Sequence, residues 1–189
     1  EHGVKYLLIV VFPIVVGIGI LARDIILSVY TAEYLNSVLP LQILLAGLVF
    51  SYVSFPIGAC LNACNRQKTQ TTIIGIVLVI NIILNLLLIP RIGVPGAAIS
   101  ALIGNVLLSV AGYLVVPRIT AIHHTYLAKT ILQLIVASVT MGILVWYVNI
   151  LSHFTIAILT GAVVYPLMLF VTRAVRGEEL RETWLLFRR

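Results

Sequence analysis

The residues best suited to chemistry in this sequence are a few side-chain amides within long apolar runs. Asn81 and Asn85 are four residues apart, which puts both on one face of a helix, and Asn105 and Gln42 lie in neighbouring runs. Because carboxamides both donate and accept hydrogen bonds, these four predict a substrate path for sugar hydroxyls. The alternative is hydrogen bonding between helices, which we favour for any single asparagine.

Charged residues and histidines are missing from the middle of every apolar run. Intramembrane proteases, ion-coupled pumps and metalloenzymes need such groups at depth. We also considered a zinc site made by Cys60, Cys64, His123 and His124, but adjacent histidines seldom both bind one ion and a C-x3-C spacing within a helix is a weak signal. The sequence therefore predicts no catalytic residue, no metal site, no cofactor and no enzymatic activity.

The composition of the 189-residue chain predicts whether it folds in water or in a lipid bilayer. Hydrophobic residues make up 61% of the chain and charged residues 10%, and the mean hydropathy is +1.17. Soluble domains are typically about 45–50% apolar and about 25% charged, and a soluble domain of this size cannot bury so much apolar surface. These values exclude a soluble enzyme, a disordered chain and a nucleic-acid-binding protein, and they predict an integral membrane protein whose first partner is the lipid bilayer.

Run length predicts how the chain crosses the bilayer. A spanning helix needs about 20 apolar residues, whereas a barrel strand alternates apolar and polar residues over about ten, and these runs are apolar on all sides. The prediction is an all-α, polytopic transmembrane helix bundle. Its six spans cover residues 4–22, 37–64, 71–89, 96–116, 128–148 and 155–173, with a short segment leading into the second.

The basic residues predict the orientation of these spans. If the loops are assigned alternately to the two sides, ten basic residues fall on one side and only Arg23 and Arg91 on the other. Because Lys and Arg collect on the cytoplasmic side, we predict a multi-pass cell-membrane protein with both chain ends cytoplasmic. The ten are Lys5, Arg66, Lys68, Arg118, Lys129, Arg173, Arg176, Arg181, Arg188 and Arg189.

The last residues form a separate segment by composition. Leu180, Trp184 and Phe187 recur at helical spacing, with several arginines beside them. This pattern is typical of an amphipathic helix lying in the headgroup region. We therefore predict a partial transmembrane domain over 1–176 and a cytoplasmic amphipathic tail over 177–189; a solvated tail is the alternative.

The most specific motif runs from LNACNRQKTQT to NIILNLLLIPRIGVPGAAIS. Its elements resemble the C-terminal part of the flippases of the multidrug/oligosaccharidyl-lipid/polysaccharide (MOP) exporter superfamily, in particular the polysaccharide branch. In physical terms the motif predicts a tight external turn: Pro90 ends the third helix, the glycines relax the backbone, and the alanines let the fourth helix begin close to its partner. The matching residues are Asn81, Asn85, Ile89, Pro90, Gly93, Gly96, Ala97 and Ala98.

The resemblance implies a lipid-linked oligosaccharide or polysaccharide flippase built from two six-helix lobes, in which these spans are the last six of fourteen. Such a protein works by alternating access. The groups thought to bind the pyrophosphate lie mostly on earlier helices of the family, so they have no counterpart in this sequence. At the cytoplasmic mouth four basic residues either attract the anionic head group or only set the topology: Arg66, Lys68, Arg118 and Lys129.

Two further functions stay open at this point. One is a multidrug extruder of the same superfamily, which would be expected to carry an acidic residue within a span. The other is a non-transporting membrane scaffold of glycan assembly. The partners implied are the bilayer, a lipid-linked saccharide substrate and other glycan-assembly membrane proteins.

Overall fold

The protein is a bundle of long helices. A computed structural model describes residues 2–115 and 124–172. Within these ranges six helices are long and apolar enough to cross a membrane, which confirms the predicted all-α class and the six spans. The helices are α1 (His2–Val29), α2 (Val38–Ala63), α3 (Gln67–Ile92), α4 (Val94–Val115), α5 (His124–Leu151) and α6 (Phe154–Val171), and a 3₁₀ helix covers Ala32–Ser37. The predicted tail at 177–189 and its boundary lie outside the described residues.

Several helices extend beyond their predicted bounds. The first was predicted to end at residue 22, but α1 continues through Arg23 and Asp24 to Val29. The predicted bound was wrong because an apolar run measures the thickness of the hydrocarbon core, whereas a helix continues into the headgroup region, where charges are solvated. The same reason applies to α5, which begins before the predicted residue 128 and ends after 148.

The predicted role of Pro90 as the end of the third helix was also wrong. Helix α3 includes Pro90 and ends at Ile92. A proline disfavours the helical conformation of the preceding residue but does not forbid it, and a helix can continue past the ring. The turn is made by Gly93 (φ 67°, ψ −141°), whose N–H donates to the carbonyl of Ile89 at 2.9 Å.

The helices form two compact units, one made of α1–α4 and the other of α5 and α6. In the first unit α4 packs against both α2 and α3, and α1 packs against α2. The small and polar residues of α4 lie at these interfaces, because Gly96, Ala98, Ser100, Gly104 and Ser109 are all buried. Small residues allow close helix approach where no hydrophobic driving force exists.

The second unit is a helical hairpin. Its turn lies at Ser152 and His153, within the stretch where the sequence predicts it, and Ala157 N–H donates to the carbonyl of His153. Helix α6 buries one stripe at every fourth residue, which includes Ala157, Gly161 and Tyr165. A Cβ at Gly161 would lie 3.1 Å from the Val145 side chain, so the two helices are in close contact there.

Candidate functional site

The two asparagines of α3 face α4. The Asn81 amide nitrogen donates to the backbone carbonyl of Ser100 at 2.9 Å, and Asn85 donates to the Asn81 side-chain oxygen at 2.8 Å. Gly104 makes room for this arrangement, because a Cβ there would lie 3.1 Å from the Asn81 nitrogen. Asn81 therefore forms a hydrogen bond between helices, the alternative considered for these residues, and Asn85 holds the Asn81 side chain from within α3.

Gln42 lies at a different interface. Its amide nitrogen donates to the backbone carbonyl of Gly19 at 2.9 Å and so joins α2 to α1. It also lines a cavity of about 520 Å³ together with Asn36, Val94 and Pro95. Gln42 and Asn81 thus form hydrogen bonds at different helix interfaces.

Asn105 differs from the other three amides. Its side chain lies against α2, where a Cβ at Gly47 would be 3.2 Å from the Asn105 nitrogen. Among the described residues it has no hydrogen-bond partner. Asn105 is half-buried near the middle of α4, so it offers an unused donor and acceptor at depth.

Two serines make a contact that the sequence analysis missed. Ser54 and Ser109 are 2.8 Å apart through their hydroxyl oxygens, and Ser109 donates to the carbonyl of Phe50 at 2.6 Å. This cluster joins α2 to α4. Serines inside apolar runs are the signal that was available, because such residues often bond between membrane helices.

A groove lies between α2 and α3, since both helices pack on α4 but scarcely on each other. We call it the α2–α3 groove. It encloses about 370 Å³; its polar lining is Ser51, Ser54, Asn62 and Gln70, and its other walls include Phe55, Ile74 and Leu108. The side chains of Ser51, Asn62 and Gln70 make no hydrogen bond within the described part of the chain.

The predicted basic residues lie in different places. Arg66 and Lys68 are both exposed at the turn between α2 and α3, and Lys129 is exposed at the start of α5. Arg118 lies outside the described residues. Within those residues neither Arg66 nor Lys68 forms an ion pair, so the turn presents two free positive charges.

The residues of the GVPGAA motif act on the backbone. Gly96 is buried against the end of α3, where a Cβ would lie 2.7 Å from the carbonyl carbon and oxygen of Leu88. Ala98 is also buried and Ala97 half-buried. The predicted close start of the fourth helix is therefore present, although α4 begins at Val94 instead of residue 96.

The cysteines and histidines show no metal site among the described residues, where no cluster of three or more metal-binding side chains occurs. Cys60 and Cys64 are one helical turn apart, with Cys64 N–H bonded to the Cys60 carbonyl at 3.0 Å. His123 and the side chain of His124 lie outside the described part.

Six apolar helices in two compact units, with amide and hydroxyl contacts between neighbouring helices of each unit, define a polytopic helical membrane protein. A family model described as "Lipid II flippase MurJ" matches residues 1–165, so the chain belongs to the MurJ lipid II flippase family. That family is part of the MOP exporter superfamily, which confirms the resemblance found in the motif.

Two curated relatives also match the chain, each over a third or less of its own length. The chain is 27% identical to "Lipid II flippase MurJ" of Bacillus subtilis (strain 168) over 181 residues, which is 94% of the chain and 33% of that protein. It is 34% identical over 111 residues, 55% of the chain, to "Uncharacterized membrane protein MJ1068" of Methanocaldococcus jannaschii, and the match covers 21% of that protein. The chain therefore spans a third or less of the length of these relatives.

Proposed function

We propose that the protein takes part in moving lipid II, a lipid-linked precursor, across the cell membrane. The observation that carries this proposal is the match of the family described as a lipid II flippase to residues 1–165. The sequence alone predicts a lipid-linked oligosaccharide or polysaccharide as the substrate, and the family description favours lipid II among them. A flippase moves its substrate without changing it chemically, so we propose no enzymatic activity.

The helices described contribute mainly the framework of a lobe. Alternating access requires two lobes that move as rigid bodies around a central site. The hydrogen bonds of Asn81 and Gln42 join neighbouring helices, and Asn85 holds the Asn81 side chain, so these residues support a rigid unit. Of the four amides, only the Asn105 side chain has no hydrogen-bond partner among the described residues, and we propose it as the one that contacts substrate.

We propose the orientation given by the basic residues, with the turn between α2 and α3 on the cytoplasmic side. Ten of the twelve basic residues fall on that side in the six-span topology, and six spans are present in the described part. In this orientation Gly93 and the 3₁₀ helix lie at the outer surface. Arg66 and Lys68 then lie at the leaflet where a lipid-linked precursor begins its transfer. We also propose other glycan-assembly membrane proteins as partners.

Transport by the whole protein in proteoliposomes tests this proposal. Lipid II labelled on its saccharide is placed in both leaflets, and an impermeant quencher reports the fraction that becomes accessible from outside. We expect active protein to raise the accessible fraction above that of liposomes with an unrelated membrane protein. Equal rates in the two preparations would reject the proposal.

A further inference from the structure

We propose that the α2–α3 groove binds one anionic phospholipid, with its phosphate beside Arg66 and Lys68 and one acyl chain along Phe55 and Ile74. This site is separate from the proposed transport of lipid II and does not depend on it. It is assigned from the shape of the first unit, the lining of the groove and the distribution of charge.

The groove has amides at its end next to the basic turn, apolar side chains along its wall, and two serines further along α2. Asn62, the last polar lining residue of α2, lies four residues before Arg66, and the Gln70 backbone N–H donates to the Arg66 carbonyl at 3.2 Å. The two amides therefore lie within one helical turn of the basic turn. Beyond them Phe55 is 75% exposed and Ile74 is 49% exposed, as expected for a surface covered by hydrocarbon. From the basic turn as far as Phe55, this order matches a phospholipid: phosphate, then glycerol oxygens, then acyl chain.

The hydrogen-bonding groups of the groove are available to a ligand. Ser51, Asn62 and Gln70 line it without a partner in the described part of the chain. A polar group left without a partner next to hydrocarbon is costly, so a ligand with ester and phosphate oxygens would lower the free energy of the site. An acyl chain alone would leave those groups unpaired.

The charge at this end of the unit is positive and uncompensated. Arg66 and Lys68 have no ion pair, and the acidic residues of the described part, Asp24 and Glu33, lie at or near the opposite end of the bundle, after the middle of α1 and before α2. Each basic residue near an anionic leaflet contributes about 1 kcal/mol to attraction. The electrostatic attraction of Arg66 and Lys68 for a zwitterionic lipid would be much weaker.

The volume of the groove is compatible with a phospholipid head group. Small-molecule sites usually measure about 300–1,000 Å³, and the 370 Å³ here is near the lower limit. This space is sufficient for a glycerol-phosphate head group. The occupant we infer is a bulk anionic phospholipid, such as phosphatidylglycerol.

Native mass spectrometry of the whole protein in neutral detergent tests the charge requirement. Phosphatidylglycerol is titrated against wild type, the double variant Arg66→Gln/Lys68→Gln and the control Arg91→Gln, which removes an exposed charge at the other end of α3. We expect the double variant to bind phosphatidylglycerol roughly tenfold more weakly than wild type, and the control to bind it as wild type does. Equal binding to all three proteins, or equal binding of phosphatidylcholine to wild type, would overturn the proposal.

A photo-cross-linking residue tests the place of binding and whether another protein segment fills the groove. Ala59 is exposed and lines the groove, whereas Ala46 is exposed on the same helix outside it. With benzoylphenylalanine at each position in native membranes, we expect a phospholipid adduct at 59 that is several-fold more abundant than at 46 and that decreases in the Arg66→Gln/Lys68→Gln background. A protein adduct at 59, or equal lipid yields at the two positions, would contradict the site. Neither readout measures transport, so failure here leaves the flippase proposal to its own test.

Discussion

The side-chain amide of Asn81 donates a 2.9 Å hydrogen bond to the backbone carbonyl of Ser100 and so joins α3 to α4. Asn85 donates to the oxygen of the same amide, so both asparagines of α3 are held within the first unit. Between membrane helices such bonds contribute roughly 0.6–2 kcal/mol. We therefore expect the hydrogen bonds of Asn81 and Asn85 to affect mainly the stability of the protein and, to a smaller extent, transport.

Replacement of Asn81 tests this assignment. We expect Asn81→Ala to lower the free energy of unfolding by about 1–2 kcal/mol, because it removes the bond to Ser100 and leaves Asn85 without its acceptor. Thermal unfolding in detergent measures the effect. The control is Thr72→Ala on the same helix, since Thr72 bonds only to the carbonyl of Lys68 in its own helix. Equal unfolding temperatures for Asn81→Ala and Thr72→Ala would show that the bond to Ser100 does not stabilise the lobe.

Replacement of Gly96 tests the close approach of α4 to α3. In Gly96→Ala the added methyl would lie 2.7 Å from the Leu88 backbone, and a backbone group cannot rotate away. Overpacking of this kind costs about 1–3 kcal/mol, so we expect a lower unfolding temperature. Gly75→Ala is the matched control, because nothing lies within 4 Å of a Cβ there and alanine is the better helix former. A Gly96→Ala protein as stable as the Gly75→Ala protein would refute the contact.

Replacement of Gly93 tests the turn itself. Its φ of 67° and ψ of −141° lie in a region that is essentially restricted to glycine. We therefore expect both Gly93→Ala and Gly93→Asn to destabilise the protein by about 1–3 kcal/mol, although asparagine tolerates ordinary left-handed turns. Asn65→Gly serves as the comparison, since Asn65 has a φ of 56° and glycine fits there at little cost. Tolerance of asparagine at position 93 in a stability assay would contradict the turn.

A double-mutant cycle tests the serine contact between α2 and α4. Ser54→Ala and Ser109→Ala remove the two hydroxyls that are 2.8 Å apart. We expect a coupling energy of about 0.6 kcal/mol, typical of such pairs in membranes. Ser109→Ala should be the more harmful single change, because the Ser109 bond to the Phe50 carbonyl joins α4 to α2, whereas the Ser54 bond to that carbonyl lies within α2. Strict additivity of the two substitutions would mean that the hydroxyls do not interact.

The sequence predicts the six spans well because hydropathy depends on composition alone. Where α1 and α3 end was harder to predict, since helices continue past the apolar run and Pro90 is accommodated within α3. The close start of α4 was predictable because the close placement of Gly96 next to Leu88 follows from a short turn between two long helices.

The candidate site was less predictable because it depends on which helices pack together. Nothing in the spacing of Gln42 and Asn81 shows that one bonds to α1 and the other to α4. The α2–α3 groove exists because α4 lies between two helices that are consecutive in the chain. That arrangement is a property of tertiary packing, which hydropathy and motif spacing do not encode.

The proposed transport of lipid II can be measured in living cells, as the accessibility of lipid II at the outer face after the protein is depleted from its host. An impermeant enzyme that cleaves exposed lipid II reports the externally accessible fraction, and total lipid II is measured in parallel. If the protein moves lipid II, we expect the accessible fraction to fall while total lipid II rises, and a wild-type copy to restore both. An unchanged accessible fraction after depletion, with no competing flippase active in the strain, would contradict the proposed transport.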